Sequence, residues 1–248
     1  MNLEITPIPC LSDNYAYLLV SDGQVAVVDP SEAEPVLRVL EQRGLTPHMI
    51  LNTHHHWDHV GGNKALLEQF PDVSVYGHES DAERIPGLTH GLQHEASFSF
   101  GKVSVRVLHN PGHTHGAITY VMDQHAFTGD TLFGAGCGRV FEGTMPQMYE
   151  SLNQVLGELP EDTLLYYGHE YTAANLRFAQ AVEPHNKAMK HRAERPLERA
   201  TLKTEKDTNP FLRCHEPVVI QAAETQAGAP LDTPAKVFGA LRRWKDQF

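Results

Sequence analysis

Between the short apolar run Met49–Leu51 and the glycine pair Gly61-Gly62, the chain reads Thr53-His54-His55-His56-Trp57-Asp58-His59. Five side chains able to bind a metal fall within six residues. A strand followed by a glycine-opened helix places such a stretch on a loop at the strand's carboxyl end, where several side chains can converge on one point. Imidazole and carboxylate are the donors that suit a borderline divalent ion. The pattern is H-x-H-x-D-H, and its five candidates, counting His55, exceed the ~4 ligands that one tetrahedral ion takes.

Three more positions share that placement, each just past a strand-like run and each after a glycine: His113 in Pro111-Gly112-His113, Asp130 in Thr128-Gly129-Asp130, and His169 in Tyr167-Gly168-His169. Any one of them alone reads as an ordinary turn residue. Pooled, His54, His56, His59, His113, His169, Asp58 and Asp130 are enough for two ions sharing one carboxylate.

The surrounding pattern supplies the strands. Leu3–Ile8, Tyr15–Val20 and Gln24–Asp29 are β-like runs joined by turns, and Glu32–Arg43 repeats its apolar residues at helical spacing before Gly44. Met49–Leu51, a helix from Gly61 to Phe70, and a strand at Val73–Tyr76 complete two β-α-β units. Strand patterns return at Phe98–Phe100, Val103–Leu108, Ala117–Met122 and His125–Gly129; a helix is expected over Pro146–Leu156 and a last strand at Thr163–Gly168. Beyond that point Ala173–Val182, Asn186–Lys206 and Pro234–Trp244 read as helices, and Gln221–Thr233 carries too few large apolar residues to assign. An α/β catalytic domain over residues 1–169 and a mainly helical one over 170–248 are expected.

Composition narrows the partners. Lys plus Arg number 20 against 31 Asp plus Glu, a net charge of -11 with no basic block, which argues against nucleic acid. The three cysteines form no C-x-x-C pair, so neither a disulfide framework nor a cysteine zinc site is expected, and a reducing cytoplasm fits. No run approaches the ~18 apolar residues of a membrane span, and the start of the chain has no export pattern.

H-x-H-x-D-H followed by His113, Asp130 and His169 resembles the metallo-β-lactamase superfamily. The stretches T-H-H-H-W-D-H, G-C-G-R, G-H-E-Y-T and the terminal R-R-W-K-D-Q-F resemble, within it, the hydroxyacylglutathione hydrolase (glyoxalase II) family. The resemblance implies a four-layer αββα sandwich with a helical C-terminal domain. It also implies two divalent metal ions, zinc first and iron or manganese as alternatives. His54, His56 and His113 would hold one ion, Asp58, His59 and His169 the other, with Asp130 bridging and His55 outside the ligand set. The implied reaction is hydrolysis of S-D-lactoylglutathione to D-lactate and glutathione, the second step of methylglyoxal detoxification, in a cytoplasmic monomer. Asp58 and Asp130 would be catalytic, Asp58 both binding metal and orienting the attacking water.

The same resemblance points to Arg139, Phe141, Tyr171, Arg242 and Lys245 as the glutathione site. Many relatives carry Lys at the first of these positions and Tyr at the second. Local sequence leaves a second reading for Arg242 and Lys245, because basic residues in a last helical turn favour the helix dipole whatever they bind. Asp29 resembles a superfamily aspartate that supports the site from behind the ligands, but from its neighbours alone it equally starts a turn before Pro30. Cys137 lacks an assigned base and is expected to be inert. The alternative within the fold is a mononuclear iron dioxygenase acting on glutathione persulfide; outside enzymes it is a metal-storage module, which would need no bridging carboxylate.

Overall fold

The computed structural model describes residues 3–195 and 200–248. It opens with β1 (Glu4–Cys10), β2 (Asn14–Ser21) and β3 (Gln24–Val28), an antiparallel meander, and then crosses through helix α1 (Ala33–Arg43) to β4 (Met49–Leu51), parallel to β3. Gly44 ends α1 in the left-handed conformation expected of a C-terminal glycine cap. The histidine stretch follows β4 and already winds into one helical turn, α2 (Trp57–Val60), before α3 (Asn63–Gln69). The expected helix from Gly61 is thus two short helices, the first inside the motif itself. β5 (Ser74–His78) and a short β6 (His90–Leu92) complete a six-stranded sheet in the order β1-β2-β3-β4-β5-β6.

Alternation along these strands shows that both sheet faces are buried. Leu18, Val25, Val27, Ile50 and Val75 pack with Val36 and Leu40 of α1 and Leu66 of α3, while their strand neighbours Tyr17, Ala26, Val28, Leu51 and Tyr76 point the other way and are also buried. That second face meets the second sheet, built from β7 (Ser97–Phe100), β8 (Val103–His109), β9 (Ile118–Met122) and β10 (His125–Gly129). Tyr17 packs edge-on against Phe127 and Tyr76 stacks on Phe98, and the Tyr120 hydroxyl donates to the Asn52 carbonyl at 3.0 Å. These contacts between sheets set the carboxyl end of β4, which leads into the histidine stretch, beside the start of β9 and the end of β10, and the Ile118 N–H donates to the Thr53 carbonyl at 2.9 Å.

Past β10 come a two-stranded hairpin, β11 (Leu132–Phe133) and β12 (Gly136–Cys137), and α4 (Met145–Glu150). α4 starts with a reciprocal cap, in which Thr144 Oγ1 accepts from the Gln147 N–H and Gln147 Oε1 from the Thr144 N–H. It runs on as a π-helical turn over Ser151–Leu156, so the helix expected there is present but changes its winding. β13 (Leu164–Tyr167) gives the second sheet the order β13-β10-β9-β8-β7. Then follow α5 (Thr172–Val182), α6 (Lys187–Ala193), α7 (Leu202–Thr208), α8 (Pro217–Ala227) and α9 (Pro234–Lys245). The single helix expected over Asn186–Lys206 is α6 and α7, with residues 196–199 outside those described. α8 occupies much of the stretch that sequence left unassigned, since it buries only Val219 and Ala223.

Two compact units result, neither continuous in sequence. The first takes the chain to His109 together with Gly116–Gly129 and Tyr166–Glu170; the second takes Asn110–His115, Asp130–Leu165 and Tyr171 onward. The second has its own aromatic core, in which Phe211 lies between Phe178 and Phe238 and Trp244 meets Phe178 edge-on. Among the described residues no helix is long and apolar enough to cross a membrane.

Gly129 closes β10 at φ 49, accepts from the Gly168 N–H at 3.0 Å, and leaves no room for a Cβ against the Thr53 side chain. Gly129→Ala should therefore lose ~1–3 kcal/mol from left-handed strain and the clash, a fall of about 2–4 °C in Tm per kcal/mol. Thermal denaturation reads this directly, and an unchanged Tm would mean the strand end re-forms around a methyl group.

Candidate metal centre

Asp29 ends β3 with a left-handed backbone, φ 46, which is uncommon for a non-glycine residue. Its buried carboxylate accepts three hydrogen bonds: from the Thr53 N–H at 2.7 Å, the Thr53 hydroxyl at 2.6 Å and His59 Nδ1–H at 2.9 Å. Asp29 thus supports the histidine stretch directly. Because the Thr53 hydroxyl donates to Asp29, its oxygen accepts from His54 Nδ1–H, 3.1 Å away. The acceptor lone pairs of His54 and His59 are thereby placed on Nε2. His54 Nε2 lies 3.1 Å from His56 Nδ1, and the His54 and His59 rings are 4.1 Å apart.

His169 is oriented in the same way, with Nδ1 donating to the Asp13 carboxylate at 2.8 Å. Its Nε2 faces Asp58 Oδ2 at 3.2 Å, and His59 Nε2 faces the same oxygen at 3.8 Å. Asp58, His59 and His169 offer ligand atoms that all lie within 4.8 Å of one another. Asn14 Nδ2 donates to the Asp58 carbonyl at 3.0 Å and reaches its carboxylate at 3.3 Å. Asp13 and Asn14 went unread in the sequence. Their only signal is a turn between two strands, and their partners are far away in the chain. His55 turns away from this cluster and pairs through Nδ1 with the buried Asp81 carboxylate at 3.0 Å.

In the second unit His113 donates through Nδ1 to the Arg139 carbonyl at 2.8 Å, leaving Nε2 3.6 Å from Asp130 Oδ2. Both residues are buried. The donor set fits divalent metal: the outer nitrogens of four imidazoles are held by carboxylates, a hydroxyl or a carbonyl, and the inner nitrogens of His59, His169 and His113 face carboxylate oxygens while that of His54 faces His56.

The residues expected to meet glutathione lie in the second unit and differ in exposure. Arg139 is open to solvent, Phe141 is exposed and tilts against the His113 ring, and Tyr171 is partly exposed and meets Phe133 edge-on. Lys245 is half-buried over the Phe178 and Phe248 rings; burial, then the Arg242 and Arg177 charges, lower its pKa. Arg242 is only 4 % exposed: its guanidinium donates to the Cys137 carbonyl at 2.8 Å and to Asp246, and lies over the Phe211 ring. An alanine there would remove packing as well as charge. Cys137 is buried, and burial pushes its thiol up to about 11, as befits an inert cysteine.

The family described as the metallo-beta-lactamase superfamily matches residues 12–169, and the chain belongs to it. That described as the hydroxyacylglutathione hydrolase C-terminus matches residues 170–248. A hydroxyacylglutathione hydrolase of Vibrio cholerae is 48% identical over an alignment that covers 99% of this chain and 100% of that one. The solved structure of ETHE1 from Myxococcus xanthus has a TM-score of 0.67 at 26% identity, covering 99% of this chain and 98% of that one. A protein solved in a di-iron-bound form has a TM-score of 0.63 at 27% identity, over 84% and 100% of the two chains. Within the superfamily, this chain is a member of the hydroxyacylglutathione hydrolase family.

Asp29→Asn keeps the shape of the side chain but sets an amide N–H against at least one of the three donors it now accepts. Metal affinity should fall ~10- to 100-fold, the usual effect of losing a partner behind a ligand. Competition against a chelating dye measures it, and wild-type affinity would show that Asp29 serves only the fold.

Proposed function

We propose that the chain hydrolyses the thioester of S-(2-hydroxyacyl)glutathione, S-D-lactoylglutathione in the first place, to the 2-hydroxy acid and glutathione. The observation that carries the reading is the pairing of two features. A cluster of histidines is oriented from behind so that its inner nitrogens face Asp58, and the C-terminal helices match those of glutathione thioester hydrolases along their length. On this reading residues 1–169 are the catalytic domain and 170–248 contribute to glutathione binding. His54, His56 and His113 would hold one divalent ion and Asp58, His59 and His169 a second, with Asp130 the carboxylate common to both. Zinc suits the donors best, and iron or manganese would be held by the same set.

Divalent metal bound there would supply a water-derived nucleophile near neutral pH, by lowering the pKa of water towards about 7, and would polarise the thioester carbonyl. Asp58, steadied by Asn14, orients the attacking water through its carboxylate. The departing thiolate has a conjugate-acid pKa of ~8.5 and leaves without a positioned protein acid. Arg139 and Lys245 meet the anionic peptide, with Tyr171 and Phe141 beside it, and Arg242 steadies the Cys137 carbonyl and Asp246 between them. The chain works as a cytoplasmic monomer on a small molecule, without nucleic acid or membrane.

Metal content and turnover test the assignment together. Asp130→Ala should lose at least one ion per chain and ~10³-fold or more in kcat. Elemental analysis beside a thioester assay reads both, and two ions with near wild-type turnover would sink the dinuclear reading. Two ions in the wild type, instead of one, also separate it from a mononuclear dioxygenase.

Lys245 gives a second check. Its charge is lost at a lower pH than an ordinary lysine's, so binding of an anionic peptide should weaken, and KM rise, earlier as pH climbs. Lys245→Ala should raise KM roughly 10-fold at neutral pH with kcat preserved, in keeping with ~1.5–3 kcal/mol for a charge-assisted hydrogen bond. A fall in kcat at constant KM would instead tie the residue to the fold or the chemical step.

A further inference from the structure

The hairpin β11–β12 begins two residues after Asp130 and ends two residues before Arg139, yet it has little to hold its own shape. Each strand has two residues, and the turn sets Ala135 at φ 53. Its backbone groups are instead met by buried side chains of the C-terminal helices. Asn175 of α5 donates to the Gly134 carbonyl at 3.0 Å. Asn209, just past α7, donates to the Gly136 carbonyl at 2.9 Å. The Ala135 N–H donates to Glu205 Oε2 of α7 at 2.8 Å, and Arg242 of α9 takes the Cys137 carbonyl. Glu205 is fully buried, ion-paired with Arg192 of α6, and also accepts from Asn209 at 3.0 Å. The fit is close: a Cβ at Gly134 would run into Thr172, and one at Gly136 into Asn175.

This hairpin fixes two groups at its base. The Gly138 N–H donates to the Thr131 carbonyl at 3.3 Å, closing the loop immediately after Asp130. The Arg139 carbonyl, one residue further on, receives His113 Nδ1–H and so turns Nε2 of that ring towards the Asp130 carboxylate.

We propose that Glu205, together with Asn175 and Asn209, is a positioning residue for metal binding. The Arg192–Glu205 pair anchors the hairpin tip, and through the hairpin it sets the Asp130 carboxylate and the tautomer and orientation of His113. The C-terminal helices on this view govern metal affinity as well as recognition of the peptide. The inference rests on the reading of His113 and Asp130 as metal ligands. A purely structural role for the buried pair would lower Tm and leave metal affinity alone.

The test uses the full chain and two variants. Glu205→Gln keeps the volume but turns an amide N–H towards Ala135 N–H, Asn209 or Arg192, all of them donors. Asn175→Leu removes one donor to the hairpin without touching the ion pair, and it decides the question if Glu205→Gln does not fold. Zinc affinity is measured by chelator competition at least 20 °C below each variant's own Tm, and kcat and KM are measured at limiting and at excess zinc. The expected result is a loss of ~10-fold or more in affinity for at least one ion. It should be accompanied by a lowered kcat that excess zinc restores and an unchanged KM. His113→Ala serves as the reference. If it loses zinc while folded Asn175→Leu and Glu205→Gln bind within two-fold of wild type, the positioning role is overturned and the ligand reading stands. If His113→Ala itself keeps both ions at wild-type affinity, the ligand reading fails and takes the positioning role with it.

Discussion

The first histidine stretch depends on one buried carboxylate. Asp29 places a negative charge at the end of β3, in a region with almost no access to water, and such a charge is tolerated only when hydrogen-bonded on most sides. Its three donors come from Thr53 and His59, so satisfying Asp29 fixes the path of the motif's backbone at one end and the turn of α2 at the other. The Thr53 hydroxyl passes that orientation to His54. The left-handed backbone at Asp29 costs local strain, and the three hydrogen bonds explain why the fold keeps it.

The same device recurs with different partners. Asp13 orients His169, and the Arg139 carbonyl orients His113. In each case a group behind the ring holds Nδ1–H, so that the ring presents its other nitrogen as a donor. Carboxylates behind imidazoles also add negative potential without occupying coordination positions, which favours a dication over a monocation in a chain that is acidic overall.

How far sequence reached follows from the range of the forces involved. The histidine stretch, Gly129-Asp130 and Gly168-His169 were legible because a strand end, a glycine and a ligand lie within a few residues of one another. The two β-α-β units were legible because periodicity is local: β4 falls where it was expected, and β3 and β5 within two residues. Asp13 and Asn14 were not, since their contacts are made with residues 156 and 44 positions away. β6, β11 and β12 are too short to show a pattern, and α8 hides because few of its residues face a core. Arg242 had two readings, a glutathione contact by resemblance and a cation favoured by the helix dipole by local sequence; neither shows its carbonyl partner, which lies 105 residues earlier. Asp29, open between two readings from its neighbours, makes its three hydrogen bonds with residues 24 and 30 positions on, beyond the reach of a local pattern.

The spacing of these partners has a consequence for synthesis. A ribosome that has released the chain as far as β5 has already exposed His54, His56, Asp58 and His59, while His169 still lies more than 90 residues ahead. On the proposed reading of these residues as ligands, the emerging segment would carry four of them without the Asp13–His169 contact that completes one end of the cluster. On that reading the set of ligands would be complete only when β13 docks, late on any vectorial route.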